Sequence, residues 1–273
     1  MHTFIHMKQT LSLILLLIAA TATTALANDS YAKREVKAER HFKYKEWSSA
    51  LAMYMLMLDQ QPDKVEPYYK AIVAGAMIGD SITQIDMLQR TQKRGIPLDS
   101  LFSGVRSVSF SIGESNAYKN FLLLVKNHQP WLKRRINIYL LNYYDFCNDY
   151  HNTIAIGEQL LAQTPTNTDY MKVIAQAYTD MSDFDNAMAY YRRILTVKRN
   201  DYDALLALGN YYAMLLLYPA DTSTCSNALS RDDLAALSQT YLSEAYNIYP
   251  TPYVAQLIDK VRKILFNNRK VYN

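Results

Sequence analysis

The chain has 273 residues, half of them hydrophobic, with 23 Tyr against only 7 Gly and 8 Pro. So few glycines disfavour a turn-rich β architecture, and so much apolar content excludes a long structureless region. A formal net charge of +4, spread along the chain, is too weak and dispersed for a nucleic-acid footprint.

Residues 1–27 read as an export signal. Lys8 precedes the apolar run Leu11–Ala20, and small residues follow to Ala25-Leu26-Ala27, an A-x-A cleavage pattern. Met7 would serve as well as Met1 for the start. The run is shorter than the roughly 20 residues that a membrane span needs, and no Cys near the cut offers a lipid attachment. Residues 28–273 are therefore expected to form one domain, soluble in a periplasm or outside the cell, with no integral membrane segment after cleavage.

Ser30–Tyr44 predicts a first helix whose charges (Lys33, Arg34, Glu35, Lys37, Glu39, Arg40) suit an exposed end. Landmarks then recur. Pro62, Pro130, Pro165 and Pro250 each end a stretch of the type A-x3-Y/L-x3-L-x3-P. The interval from 62 to 130 is 68, twice 34, and from 130 to 165 it is 35. Another 34 residues reach Arg199, at the end of the matching stretch Ala187–Leu195, and Pro97 stands one residue late for the mark missing near 96. Pro250 lies 51 residues after Arg199, one period with an insertion of 17. Upstream of these marks an acid precedes an aromatic, in Lys45-Glu46-Trp47, Asn148-Asp149-Tyr150 and Ser182-Asp183-Phe184. Gly79-Asp80 and Gly113-Glu114 keep the turn without the aromatic. Leu140/Tyr144, Ile174/Ala175/Tyr178 and Leu208-Gly209/Tyr212 mark the first helices.

This pattern resembles the tetratricopeptide repeat, a 34-residue helix–turn–helix unit, from Tyr31 to Pro252. The resemblance implies an all-α fold, an α–α superhelix of about six repeats. Their bounds are 31–64, 65–98, 99–132, 134–167, 168–201 and 202–252, the last with an insertion at 218–233, and a capping helix follows over 253–268. Ala50 and Ala187 would let paired helices approach closely, while Trp47, Tyr150 and Phe184 plug each hairpin. Tyr54 and Tyr191 would wedge between units. In the cap, Val254, Leu257, Ile258, Val261 and Leu265 share one stripe, and Thr251-Pro252 suits its start.

Within repeat six, the helix Asp201–Leu217 should end near Pro219. A polar loop follows, and Ser230-x-x-Asp233 has the form of a capping box. Cys225 lies in this loop and Cys147 in the turn of repeat four. An oxidising compartment would permit a disulfide between them; the alternative is a buried Cys147 and a free Cys225.

Chemistry has little support. Met53, Met55 and Met57 fall on different sides of a helix and cannot share one metal ion, so they read as packing residues. His41, His128 and His151 form no ligand-like cluster, and Cys147-x3-His151 crosses a turn without an orienting acid. No Gly-rich phosphate loop is present. We expect no enzyme, no cofactor and no metal.

In tetratricopeptide proteins, first-helix positions 2, 5, 9, 12 and 13 line a groove. By that resemblance position 9 supplies Asn142, Gln176 and Asn210, amides able to pair with the backbone of an extended peptide. Arg135, Asp145, Phe146, Lys172, Asp180 and Met214 would surround them, and repeat two would add an apolar stretch of Tyr69, Val73, Ala76 and Met77. The basic clamp that holds chaperone C-termini is not reproduced, because Lys172 and Gln176 lack basic partners in repeat six. The expected function is a non-catalytic scaffold that binds a protein or peptide partner. The alternatives are an envelope assembly factor, or a glycan or small-molecule module using Tyr68, Tyr69, Tyr143, Tyr211 and Tyr218.

Overall fold

A computed structural model describes residues 31–218 and 229–271, with side chains as far as residue 264. The leader, most of the repeat-six loop and Cys225 lie outside the described residues. The helices are α1 (31–43), α2 (Trp47–Gln60), α3 (Val65–Met77), α4 (Ser81–Lys93), α5 (Leu98–Ser111) and α6 (Ser115–His128). After a single 3-10 turn, Pro130–Leu132, come α7 (Lys133–Phe146), α8 (Tyr150–Leu161), α9 (Thr168–Asp180) and α10 (Phe184–Val197). The last three are α11 (Tyr202–Leu217), α12 (Arg231–Ile248) and α13 (Pro252–Val271). There is no strand among the described residues. The chain divides into two compact units at Ile136/Asn137, inside α7.

The 34-residue period is written in the backbone itself. Apart from Gly95 (70°), which follows α4, positive φ among the described residues occurs at Lys45 (60°), Gly79 (75°), Gly113 (77°), Asn148 (55°) and Ser182 (61°), at intervals of 34, 34, 35 and 34. Each of these residues closes the first helix of a hairpin in the left-handed conformation. The acid that follows then bonds back across the turn. The N–H groups of Glu46, Asp80, Glu114, Asp149 and Asp183 donate to the carbonyls of His41, Gly75, Ser109, Tyr144 and Tyr178 at 2.8–2.9 Å. The same acid is the N-cap of the second helix. The carboxylates of Asp80, Asp149 and Asp183 accept from the N–H groups of Thr83, Asn152 and Asn186. Glu46 and Glu114 reach one carbon too far and make no such bond. One acidic residue therefore ends one helix and starts the next, which is why these turns need only three residues.

In the N-terminal unit α3 packs against α2, α4, α5 and α6. Ala71, Ile72, Val73 and Ala74 are all fully buried as a result. Val73 therefore belongs to the core and not to an apolar groove in repeat two. Position 69 faces a close approach: a Cβ on Gly104 would lie 2.1 Å from the Tyr69 ring, so only glycine admits that ring against α5. Between α1, α2 and α3, the Lys70 ammonium sits 2.8 Å from both Glu39 and Glu66. The Tyr54 hydroxyl donates to Glu39 at 2.9 Å. Burial would lower the Lys70 pKa, but the two carboxylates outweigh it and hold it above its ordinary value. Tyr54 is buried, as its expected wedge position requires.

In the C-terminal unit the helices pack sequentially, α8 on α9 through to α12 on α13. Ala175 and Ala187 are fully buried where α9 and α10 cross. The equivalent pair in repeat six is Gly209 and Ser238. Ser238 stands 17 residues beyond the plain period from Ala187, and its hydroxyl donates to the Gly209 carbonyl at 3.0 Å in the core. The inserted residues are not confined to 218–233, however. Compared with α9 and α10, of 13 and 14 residues, α11 and α12 have 16 and 18, so both helices absorb part of the insertion. The Ser230/Asp233 capping box forms as expected, with Asp233 N–H donating to Ser230 Oγ at 3.1 Å.

Tyrosines repeat in register too. Tyr178 stacks on Tyr190, and 34 residues on Tyr212 stacks on Tyr241, with ring centroids 6.0 and 5.9 Å apart. Val254, Ile258 and Val261 of α13 are buried against the end of the array, and Thr251 Oγ1 accepts from the Val254 N–H. Lys260, Arg262 and Lys263 face solvent. The helix extends beyond the expected 253–268, from Pro252 to Val271.

Candidate binding groove

A groove runs along the first helices of the C-terminal unit. One section, of about 470 Å³, is lined by Asp145, Lys172, Gln176, Tyr191, Asp203 and Asn210 among others. A second, of about 400 Å³, shares Gln176, Tyr191, Ala207 and Asn210 with the first and continues to Phe184, Met188, Tyr211, Met214 and Tyr253. The helical period explains the lining. Lys172, Gln176 and Thr179 on α9, and Asp203, Ala207, Asn210 and Met214 on α11, recur at three or four residues and so share one face of each helix. From Asp203 to Met214 the rise along α11 is about 16 Å, the reach of about five extended residues.

The two sections differ in chemistry. At one end the Lys172 ammonium lies 2.9 Å from Asp201 and 2.7 Å from Asp203. Asp201 is buried and also meets Lys198 at 3.1 Å while capping α11 through the Ala204 N–H. Burial would raise the Asp201 carboxyl, but the two lysines and that N–H outweigh it and hold it below its ordinary range. For Lys172 burial would lower the pKa, and Asp203 and Asp201 together hold it above its ordinary value. Asp145 is different. Partial burial and the Asp180 carboxylate push its carboxyl up, and among the described residues it has no ion-pair partner. The far end is aromatic and thioether-rich, with Phe184 and Tyr211 rings 6.1 Å apart.

Of the three amides expected in line, two share the groove. Gln176 donates from Nε2 to Asp180 at 2.8 Å, which leaves its Oε1 available. Asn210 accepts from the Tyr253 hydroxyl at 3.3 Å, which leaves its Nδ2 available. Asn142 is exposed on α7 but lines neither section. Phe146 is 61% exposed and likewise outside them. Arg135 pairs with Asp99 at 2.6 Å, and Tyr69 is half-buried against Gly104; both belong to the N-terminal unit, whereas the groove belongs to the other. Cys147 is exposed at the α7–α8 turn and not the buried residue of the alternative reading. Its suggested pairing with Cys225 falls outside the described residues.

Sequence reasoning did not single out Tyr253, Phe184 or Met188 as groove residues. Phe184, expected to plug a hairpin, is only half-buried and turns one face to the groove. Tyr253 comes from the helix read as a cap, whose stripe of Val254, Leu257, Ile258 and Val261 gave no sign of a groove role. Tyr68 and Tyr143 are buried and cannot present a ring to a sugar. No group of three or more His, Cys, Asp or Glu able to hold a metal occurs among the described residues. None of the described helices is long and apolar enough to cross a membrane.

No family model matches the chain, and no curated protein matches it. Among solved structures it is similar to a protein from Bacteroides ovatus ATCC 8483, with a TM-score of 0.48 and 16% identity over 75% of this chain and 98% of that one. The P58(IPK) TPR domain gives 0.42 and 12% over 88% and 67%. A TPR-repeat protein from Bacteroides fragilis NCTC 9343 gives 0.37 and 15% over 86% and 98%. These likenesses are distant. The chain's own turn register, five left-handed residues one period apart with an acid after each, gives it the tetratricopeptide type of helical-hairpin fold.

Proposed function

We propose that this chain is a non-catalytic scaffold that holds an extended segment of another protein in the α9–α11 groove. The observation that carries the reading is the pairing of spare hydrogen-bonding capacity on Gln176 and Asn210 with an apolar pocket beside them. Two amides on one face can accept from and donate to a peptide backbone, while Met188, Tyr211 and Met214 receive a side chain. The pairing of buried Asp201 with half-buried Lys172 ties α9 to the start of α11, which favours a groove formed before a partner arrives.

The leader over residues 1–27 supports export, which would place the protein in a periplasm or outside the cell. N-terminal sequencing of the envelope fraction tests this, with Asn28 as the expected first residue and an intact Met start as the contrary result. A pull-down from envelope extracts tests binding. The wild type should retain a specific partner that the Gln176→Ala/Asn210→Ala variant releases. Unchanged retention by the variant would remove the groove from the account.

A further inference from the structure

The groove's charges are unevenly placed. Lys172 is held by Asp201 and Asp203, and Lys198 by Asp201. Arg192 is turned to the Tyr212 hydroxyl at 2.8 Å. No cation remains for Asp145 or Asp180 among the described residues. Asp145 lines the charged section together with Gln176, and Asp180 accepts from Gln176 Nε2 at 2.8 Å, so both carboxylates stand by that one residue. Partial burial and then the Asp180 carboxylate push the Asp145 carboxyl up. Asp185, at the start of α10, adds a further negative charge close to Tyr211. The acids that line or rim the groove thus outnumber its cations, and the excess sits beside Gln176, where the two sections meet.

From this we infer that the segment the groove selects is cationic: a lysine or arginine side chain lies between Asp145 and Asp180, and an apolar or aromatic side chain follows it into the Phe184–Met188–Tyr211–Met214 pocket. The inference rests on the scaffold reading and adds the partner's chemistry to it. A guanidinium or ammonium group placed there relieves the repulsion and gains two charge-assisted hydrogen bonds. An acidic side chain would add a third negative charge to the same place. The length of the groove sets the register, since about five extended residues span it and alternate side chains of an extended strand point the same way. The cation and the apolar anchor therefore stand two residues apart.

The test uses three equimolar pools of fluorescein-labelled pentapeptides, X-Lys-X-Phe-X, X-Gln-X-Phe-X and X-Glu-X-Phe-X, titrated against the whole chain by fluorescence anisotropy. The lysine pool should bind about tenfold more tightly than the glutamate pool in low salt, with the difference shrinking as salt rises. Asp145→Asn/Asp180→Asn should abolish the difference without lowering the thermal midpoint, because both side chains are exposed and two like charges are removed. Tyr211→Ala/Met214→Ala should weaken all three pools alike. Equal or tighter binding of the glutamate pool, still lost in Tyr211→Ala/Met214→Ala, would overturn the cationic preference and leave the groove standing. Failure of every pool to bind would overturn both.

Discussion

Replacing Gly209 by alanine tests whether repeat six keeps the register of the others across its insertion. A Cβ at Gly209 would lie 2.7 Å from Leu242 Cδ2 and Cγ, and 3.1 Å from the Leu242 backbone N. Leu242 is fully buried, so neither its side chain nor α12 can move away without opening space elsewhere. Overpacking of this kind costs about 1–3 kcal/mol. Alanine returns about 1 kcal/mol through its better helix propensity. The net expectation is a loss of up to about 2 kcal/mol, which for a chain of this size lowers the thermal midpoint by as much as roughly 8 °C. Circular dichroism melts give the measurement. A double-mutant cycle sharpens it, because Leu242→Ala alone should cost about 2–5 kcal/mol, and the added methyl should fill part of that cavity. The combined loss should then fall short of the sum by about 0.5–3 kcal/mol. A raised midpoint for Gly209→Ala, as at a solvent-exposed helical glycine, would refute the packing of α11 on α12.

Gly113→Ala isolates the turn conformation. Nothing lies within 4 Å of its Cβ, yet φ is 77°, so the variant should lose about 1–2 kcal/mol from backbone strain alone; an unchanged midpoint would contradict the left-handed assignment. The Asp201 carboxyl is held low by its two lysines, so its contribution is present above the unfolded value near 3.9 and is lost as pH falls through that value towards the folded one. Melts of Asp201→Asn should therefore show lower stability at pH 7 and a flatter acid limb below about pH 4. The Tyr31 phenol is pushed up to about 12 by burial, then by Glu35 and Glu66. Its stabilising effect is complete below pH 10 and lost as pH rises towards 12. Since burial raises several other phenols as well, Tyr31→Phe should lower the amplitude of the late-titrating absorbance at 295 nm by one tyrosine without removing it.

The hairpin turns could be read from the sequence because one residue type performs two duties at each. An acid after a turn residue, repeated at 34, marks both the helix end and the next N-cap, and all five such acids fall where expected. The capping box at Ser230 was equally plain, yet the expected insertion ran to residue 233. The box itself required α12 to begin at 231, so local capping chemistry was the better guide to that boundary. Val73 was misplaced for a different reason. Its helix carries apolar residues on most faces, so periodicity alone could not tell which face a later repeat would cover. Asn142 has the same repeat position as Gln176 and Asn210, but a position number says nothing about whether neighbouring side chains close a groove around it. Tyr253 entered the groove from an element read only as a cap.

Hydrogen exchange read by mass spectrometry, with and without the retained partner, tests the central claim most directly. Binding in the groove predicts slowed exchange along α9 from Lys172 to Thr179 and along α11 from Asp203 to Met214, with little change in α2 to α6. Protection confined to α2 to α6, with α9 and α11 unchanged, would contradict it.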